Sequence, residues 1–199
     1  MKKSLILTAY VSCVLYASDA YIKTTSDAIL DGKKVGDIAL LTPAKIISEN
    51  SDKTKIKIEG VIQENYQAKL VKSLAYNEEY VSFAKDDENA TYSGDTNPYV
   101  KVGDKLEDDY GEIWYKASIE LEVPSTNLTK DPDTIYKQAK GLYEQTCSQC
   151  HRLHDTTEYT VNQWPSNIES MISSGFVGLQ ADEKNMIIKY LQQNAKDIK

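Results

Sequence analysis

The run KTKIKIEGVI, residues 53 to 62, sets isoleucine against charge at alternate positions through Lys55, Ile56, Lys57 and Ile58. Successive side chains of an extended strand point to opposite faces, so this run has one apolar face and one charged face. It can settle only as a half-buried antiparallel strand. Shorter runs of the same kind follow the same rule: AKIIS (44 to 48), AKLVKSL (68 to 74), YVSFA (80 to 84), YVKVG (99 to 103) and IWYKASIELEV (113 to 123). Turn-forming stretches such as SENSD, DDENATYSGDTNP and DDYG separate them. Five or six short strands between about Asp37 and Val123 predict a small barrel or sandwich. This region holds neither His nor Cys, so it reads as a structural or docking module rather than a second active site.

The alternation stops at PSTNLTKDPD, residues 124 to 133, where two prolines and polar residues predict a linker. Beyond it the period becomes helical. Asp133 or Thr134 can cap a helix carrying Ile135, Ala139, Leu142 and Tyr143 on one face, and this helix runs into a cysteine motif. A second helix is predicted over Trp164 to Ser173, with Pro165 suited to its first turn. A third begins near Ala181, with Ile187, Tyr190 and Leu191 as its stripe.

The start of the chain has its own chemistry. Lys2 and Lys3 precede an apolar run from Leu5 to Tyr16, and Ser18 and Ala20 place small residues before a cleavage point. Residues 1 to 20 therefore read as an export signal peptide, and the protein is expected in the periplasm. Cleavage would remove Lys2, Lys3 and Asp19, which takes away one net positive charge and moves the formal charge from -7 to -8. No basic stretch points to nucleic acid; an acidic chain instead suits solubility or a partner with a basic docking face. The expected divisions are 1–20 signal peptide, 21–124 β-rich domain, 125–132 linker and 133–199 helical domain.

Cleavage would also remove Cys13 and leave Cys147 and Cys150 as the remaining thiols, within CSQCH. A redox C-x-x-C pair sits at a helix N-terminus, where the dipole favours the thiolate, whereas this motif ends a helix. A structural zinc core needs four well-spread ligands, and Cys147, Cys150, His151 and His154 are too local. In C-x-x-C-H two thiols one helical turn apart can form thioethers with both vinyl groups of a haem, and the next histidine ligates its iron. Cys147, Cys150 and His151 meet that spacing, which predicts one covalently attached haem c. About 65 residues from Asp133 would bury too little surface alone, so this part is expected to be largely unfolded before haem loading.

The flanking residues carry a resemblance. GLYEQTCSQCH resembles the opening helix of class I cytochromes c, and IIKYLQQ resembles their closing helix. The resemblance implies that these helices cross, with Gly141 admitting Tyr190, and that a methionine thioether is the common second iron ligand. Met171, between Trp164 and the GFVGL loop, fits that place best; Met186 in the closing helix and an open sixth position are the alternatives. Val161, Trp164, Ile168 and Met171 also form an ordinary apolar stripe. His154, close after His151, suits a propionate or surface contact.

KIKIEGVIQE, GEIWYKASIELEV, CSQCHRLHDTTEYTVNQWPSNIESM and KYLQQNAKD together resemble the C-terminal part of TorC-type multihaem cytochromes of trimethylamine-N-oxide respiration. The resemblance implies an α+β chain, a small all-β domain (an SH3-like barrel or sandwich) followed by a small all-α cytochrome c haem domain. It implies a single-haem electron carrier donating to a periplasmic molybdopterin N-oxide or S-oxide reductase, supplied by a quinol-oxidising or cytochrome donor. The membrane helix and four-haem domain of that family are not in this sequence, so quinol oxidation by the chain itself is not expected. Met171 matches a methionine of the pattern, and Trp164 with Thr156 to Tyr159 would cover the macrocycle. No general base or nucleophile is evident, so an electron-transfer protein rather than an enzyme is expected. A haem-based sensor, an assembly protein, or a donor to a different reductase or a peroxidase are the competing readings. Separately, DENAT (87 to 91) resembles an acidic N-glycosylation acceptor at Asn89; NLT at Asn127 lacks the acid.

Overall fold

The structure is a computed structural model that describes residues 20–84, 92, 94–150 and 152–198. Its strands are β1 Ala20–Ile22, β2 Ser26–Leu30, β3 Lys33–Ile38, β4 Pro43–Glu49, β5 Lys53–Gln63, β6 Lys69–Val71, β7 Glu79–Ser82, β8 Lys101–Glu107, β9 Ile113–Pro124 and β10 Leu128–Thr129. Three helices follow: α1 Pro132–Cys147, α2 Trp164–Ser173 and α3 Ala181–Gln193.

The alternating run becomes the central strand. β5 pairs antiparallel with β9 from Lys53 opposite Pro124 to Gln63 opposite Trp114. Ile56, Ile58, Ile119 and Leu121 point inward and are buried, while Lys55 reaches across the outer face to Glu120 at 2.7 Å. Such pairs of facing side chains are what hold two strands in register. The sheet then closes on itself, because β5 pairs β6, β6 pairs β7, β7 pairs β3, β3 pairs β2, β2 pairs β9 and β9 returns to β5. β4, β1 and β10 extend one side of this ring and β8 the other. Closure needs two close approaches: a Cβ on Gly60 would run into the Val71 carbonyl oxygen where β6 meets β5, and one on Gly36 into the Ser82 carbonyl oxygen where β7 meets β3, so only glycine fits at either.

β1, β2, β3 and β10 fall outside the strands expected from the alternation. β2 and β3 are joined by Asp31 and Gly32, both at positive φ (49° and 78°), and Asp-Gly is a strong two-residue hairpin signal. Of the stretch expected as linker, Leu128 and Thr129 pair with β1. Residues 1–19, with most of the expected signal peptide, lie outside the described residues; Ala20, its expected last residue, begins β1 and is buried opposite Ala44.

The expected fold class, a small all-β domain followed by a small all-α cytochrome c domain, is corrected. The described residues form mostly a β-barrel, ten strands of which six make the closed ring, and of the three short C-terminal helices α1 and α3 pack back against it. Ile135 and Tyr136 of α1 and Met186 of α3 pack on Leu40 and Leu41 of the β3–β4 connection. The Tyr76 hydroxyl donates to the Asp197 carbonyl at 2.8 Å, and the Asn77 amide donates to the Asn162 side chain, also at 2.8 Å. Lys189 of α3, 5% exposed, donates to Glu78 at 3.0 Å and to the Glu79 carbonyl at 2.9 Å. The physical reason is that these helices spread their apolar and polar partners over two surfaces. Helical periodicity identifies a buried face without saying whether a helix or a barrel wall covers it.

Among the described residues no helix is long and apolar enough to cross a membrane.

Candidate functional site

Asp131, two residues before the earlier of the expected caps, starts α1 by accepting hydrogen bonds from the Asp133 and Thr134 amides. Satisfying those amides and placing a carboxylate at the positive helix end both favour initiation there. α1 buries Ile135, Ala139 and Tyr143 and ends at Cys147, so its apolar stripe leads to the first thiol. Cys147 is half-buried and Cys150 exposed, and both thiols are free. Burial pushes the Cys147 thiol above its ordinary value. It also pushes Tyr143, with the charge of Cys147 adding to the effect, up to about 12. His151 lies outside the described residues.

α2 spans the residues expected for it, with Pro165 in its first turn. Val161, Trp164 and Ile168 are buried, and with Tyr143, Ile187, Leu191 and Ala195 they form the core of the helical region. Cys147 and Met171 both border this cluster. Met171 is the half-exposed end of a stripe whose other three members are enclosed, and beyond it Phe176 is 75% exposed. Met186 faces the barrel side, against Ile135 and the Leu40–Leu41 pair.

Trp164 has no exposed surface. Its Nε1 donates to the Thr156 carbonyl at 3.0 Å, and its ring meets Tyr159 edge-on at 4.8 Å. It thereby fastens the 156–159 loop to α2. The loop turns because the Asp155 carboxylate accepts from the Thr157 amide and hydroxyl, bonds that hold its pKa below the usual carboxylate range. The His154 ring meets Tyr159 at a tilt, 5.6 Å between centroids, and lies 2.8 Å from Glu158 through Nδ1, while its carbonyl accepts from the Tyr143 hydroxyl at 2.8 Å. Glu158 and Tyr159 belong to the Thr156 to Tyr159 loop expected from the sequence, but their contacts with His154 were not; the i,i+4 spacing of His154 and Glu158 was the available signal.

The expected contact at Gly141 is also corrected. α1 and α3 do pack together, but a Cβ on Gly141 would meet nothing within 4 Å. Tyr143 meets Tyr190 instead, ring to ring at 6.1 Å. The tyrosine pair fills the crossing, which leaves Gly141 without a packing duty. Asn127 is structural: it accepts from the Thr24 amide and hydroxyl and donates to the Thr24 carbonyl. Asn89 lies outside the described residues.

The Cys147 thiol ends α1 against an apolar cluster that the half-exposed Met171 thioether also borders, and the Cys150 thiol lies exposed three residues on; two thiols so placed could hold an apolar group covalently. Among the described residues no three His, Cys, Asp or Glu side chains are arranged to hold a bare metal ion.

Comparison with known proteins gives distant similarity in one direction. The chain is 26% identical over 184 residues to the cytochrome c-type protein TorC of Escherichia coli K12, covering 92% of this chain and 44% of that protein. TorC of Escherichia coli O157:H7 matches to the same extent. The cytochrome c-type protein TorY of Haemophilus influenzae is 32% identical over 85 residues, 43% of this chain and 23% of that protein. The chain thus spans less than half the length of the curated relatives it matches. No family model and no solved structure matches.

Proposed function

We propose that this protein is a single-haem c-type cytochrome of the periplasm that donates electrons to a molybdopterin trimethylamine-N-oxide or S-oxide reductase. The observation that carries the reading is the sequence Cys147-x-x-Cys150-His151, whose first cysteine ends α1, in a chain similar over most of its length to the cytochrome c-type protein TorC. Cys147 and Cys150 would hold the haem covalently, and His151 with Met171 would bind its iron. When bound, haem supplies a one-electron couple. The chain's own residues do the rest. Met171 offers a thioether at the open end of the α2 stripe. The enclosed core of Tyr143, Val161, Trp164 and Ile168 excludes water from one side of that place. Trp164 and Tyr159 fix the loop that carries His154.

Three measurements test the reading. Protein released by osmotic shock should retain a Soret band after acidic-acetone extraction; loss of the pigment to the solvent rejects covalent attachment. The reduced protein, mixed with a molybdopterin N-oxide reductase and trimethylamine-N-oxide, should reoxidise faster than without the reductase; equal rates reject the partner. A six-coordinate low-spin iron supports the carrier reading, and a five-coordinate iron that binds carbon monoxide readily supports a sensor.

A further inference from the structure

A groove of about 380 Å³ crosses the outer face of the barrel, over β5, β9 and β8. Lys57, Lys72, Lys101 and Lys116 line it, with Glu59 as the one carboxylate, and Gly60, Gly103 and Ala117 keep its floor low. This concentration of lysine lies on a chain whose net charge is -7.

The ion pairs do not cancel the charge. Glu59 is shared between Lys57 at 2.6 Å and Lys45 at 2.8 Å. Glu78 is shared between Lys72 at 2.9 Å and Lys189 at 3.0 Å. Each of these carboxylates serves two lysines, and the lining of the groove itself holds four lysines to one glutamate. Lys116 is matched by Asp104 at 3.0 Å, and Lys101 lies at the rim near Glu120, whose own ion pair is with Lys55 at 2.7 Å. Val102, 42% exposed, supplies an apolar foothold beside it.

We propose that this groove docks an acidic, extended segment of a partner protein, its carboxylates meeting Lys57, Lys72 and Lys101 and an apolar side chain resting on Val102. Fixed excess charge in a concave site raises the local concentration of an oppositely charged partner and orients it. The floor of small residues leaves room for a backbone to lie close to the sheet. The site is on the barrel wall, whereas the thiols and Met171 border the helical core, so a partner held here would leave that end of the molecule uncovered. The inference does not depend on haem and survives if the reading above fails.

The test is fluorescence anisotropy of the full chain with a fluorescein-labelled decapeptide of alternating Glu and Leu. Lys57→Glu with Lys101→Glu is expected to weaken binding by roughly tenfold or more, and added salt should weaken it further. Lys23→Glu with Lys137→Glu makes the same change in net charge at exposed sites elsewhere and should leave the affinity within about twofold. Circular dichroism of both double variants checks that the barrel is intact. Equal loss in the two double variants overturns the proposal, because net charge alone would then be responsible. So does peptide binding that is absent while phosphatidylglycerol vesicles bind, which would make the groove a lipid-headgroup site.

Discussion

Replacing Glu78 with glutamine isolates the contact that holds α3 to the barrel. Glu78 is 7% exposed and lies between two ammonium groups, Lys189 at 3.0 Å and Lys72 at 2.9 Å. Lys189, itself 5% exposed, has Glu78 as its hydrogen-bonded anion; it also donates to the Glu79 carbonyl, feels the Glu79 carboxylate at longer range and lies over the Tyr80 ring face, 5.7 Å from Nζ to the ring centroid. The amide variant strands a buried cation, which costs about 3–5 kcal/mol where measured. Lys189→Met is a different case. It keeps the volume of the side chain, and Glu78 retains Lys72, which is partly open to solvent, so only one charged bond and the bond to the Glu79 carbonyl are lost. That loss is about 1–2 kcal/mol. The expected result is an ordering, with Glu78→Gln more destabilising than Lys189→Met by roughly 2 kcal/mol. Urea unfolding followed by far-ultraviolet circular dichroism reads both midpoints. Equal costs, or the reverse order, would refute the claim that the buried cation dominates this interface.

Three further outcomes follow from the same geometry. Burial raises the Glu78 carboxyl, but Lys189 and Lys72 outweigh it and hold the group below its usual range. Its stabilising contribution is then complete above the unfolded glutamate value and is lost as pH falls through the lower folded value, so the stability gap between wild type and Glu78→Gln should narrow on acidification; a gap constant from neutral pH down to about 3 contradicts this. Trp164→Ala empties the centre of the helical core and should cost about 3–5 kcal/mol by the same unfolding assay, with less than about 1 kcal/mol ruling out a core role. Met171→Ala should alter the visible spectrum and midpoint potential of the pigmented protein. Met186→Ala should leave both unchanged and lower stability by about 1–2 kcal/mol, so a spectrum that responds to Met186 and not to Met171 reverses the ligand assignment.

The barrel was partly legible because β5 and β9 each bury one face, and alternation records that directly. β2 and β3 lie outside the alternating runs although Asp31-Gly32 marks their hairpin, since short strands such as SDAIL show little alternation. β10 was hidden inside a polar stretch because two residues that pair by backbone alone leave no side-chain pattern. Among candidate site residues, the spacing of Cys147 and Cys150 was visible as a motif, and the Val161, Trp164, Ile168 and Met171 stripe was visible as a periodicity.

By itself the sequence determined the local devices: the period-two strands, the α2 boundaries, the two thiols one turn apart and the stripe ending at Met171. Each depends on residues a few positions apart, whose geometry the backbone repeat dictates. Only the tertiary structure decided that the helices lean on the barrel, that Lys189 is buried against Glu78, that Tyr143 rather than Gly141 meets Tyr190, and that scattered lysines converge in one groove. Those arrangements join residues far apart in the chain, and no repeat within a segment encodes which distant surface will exclude water from it.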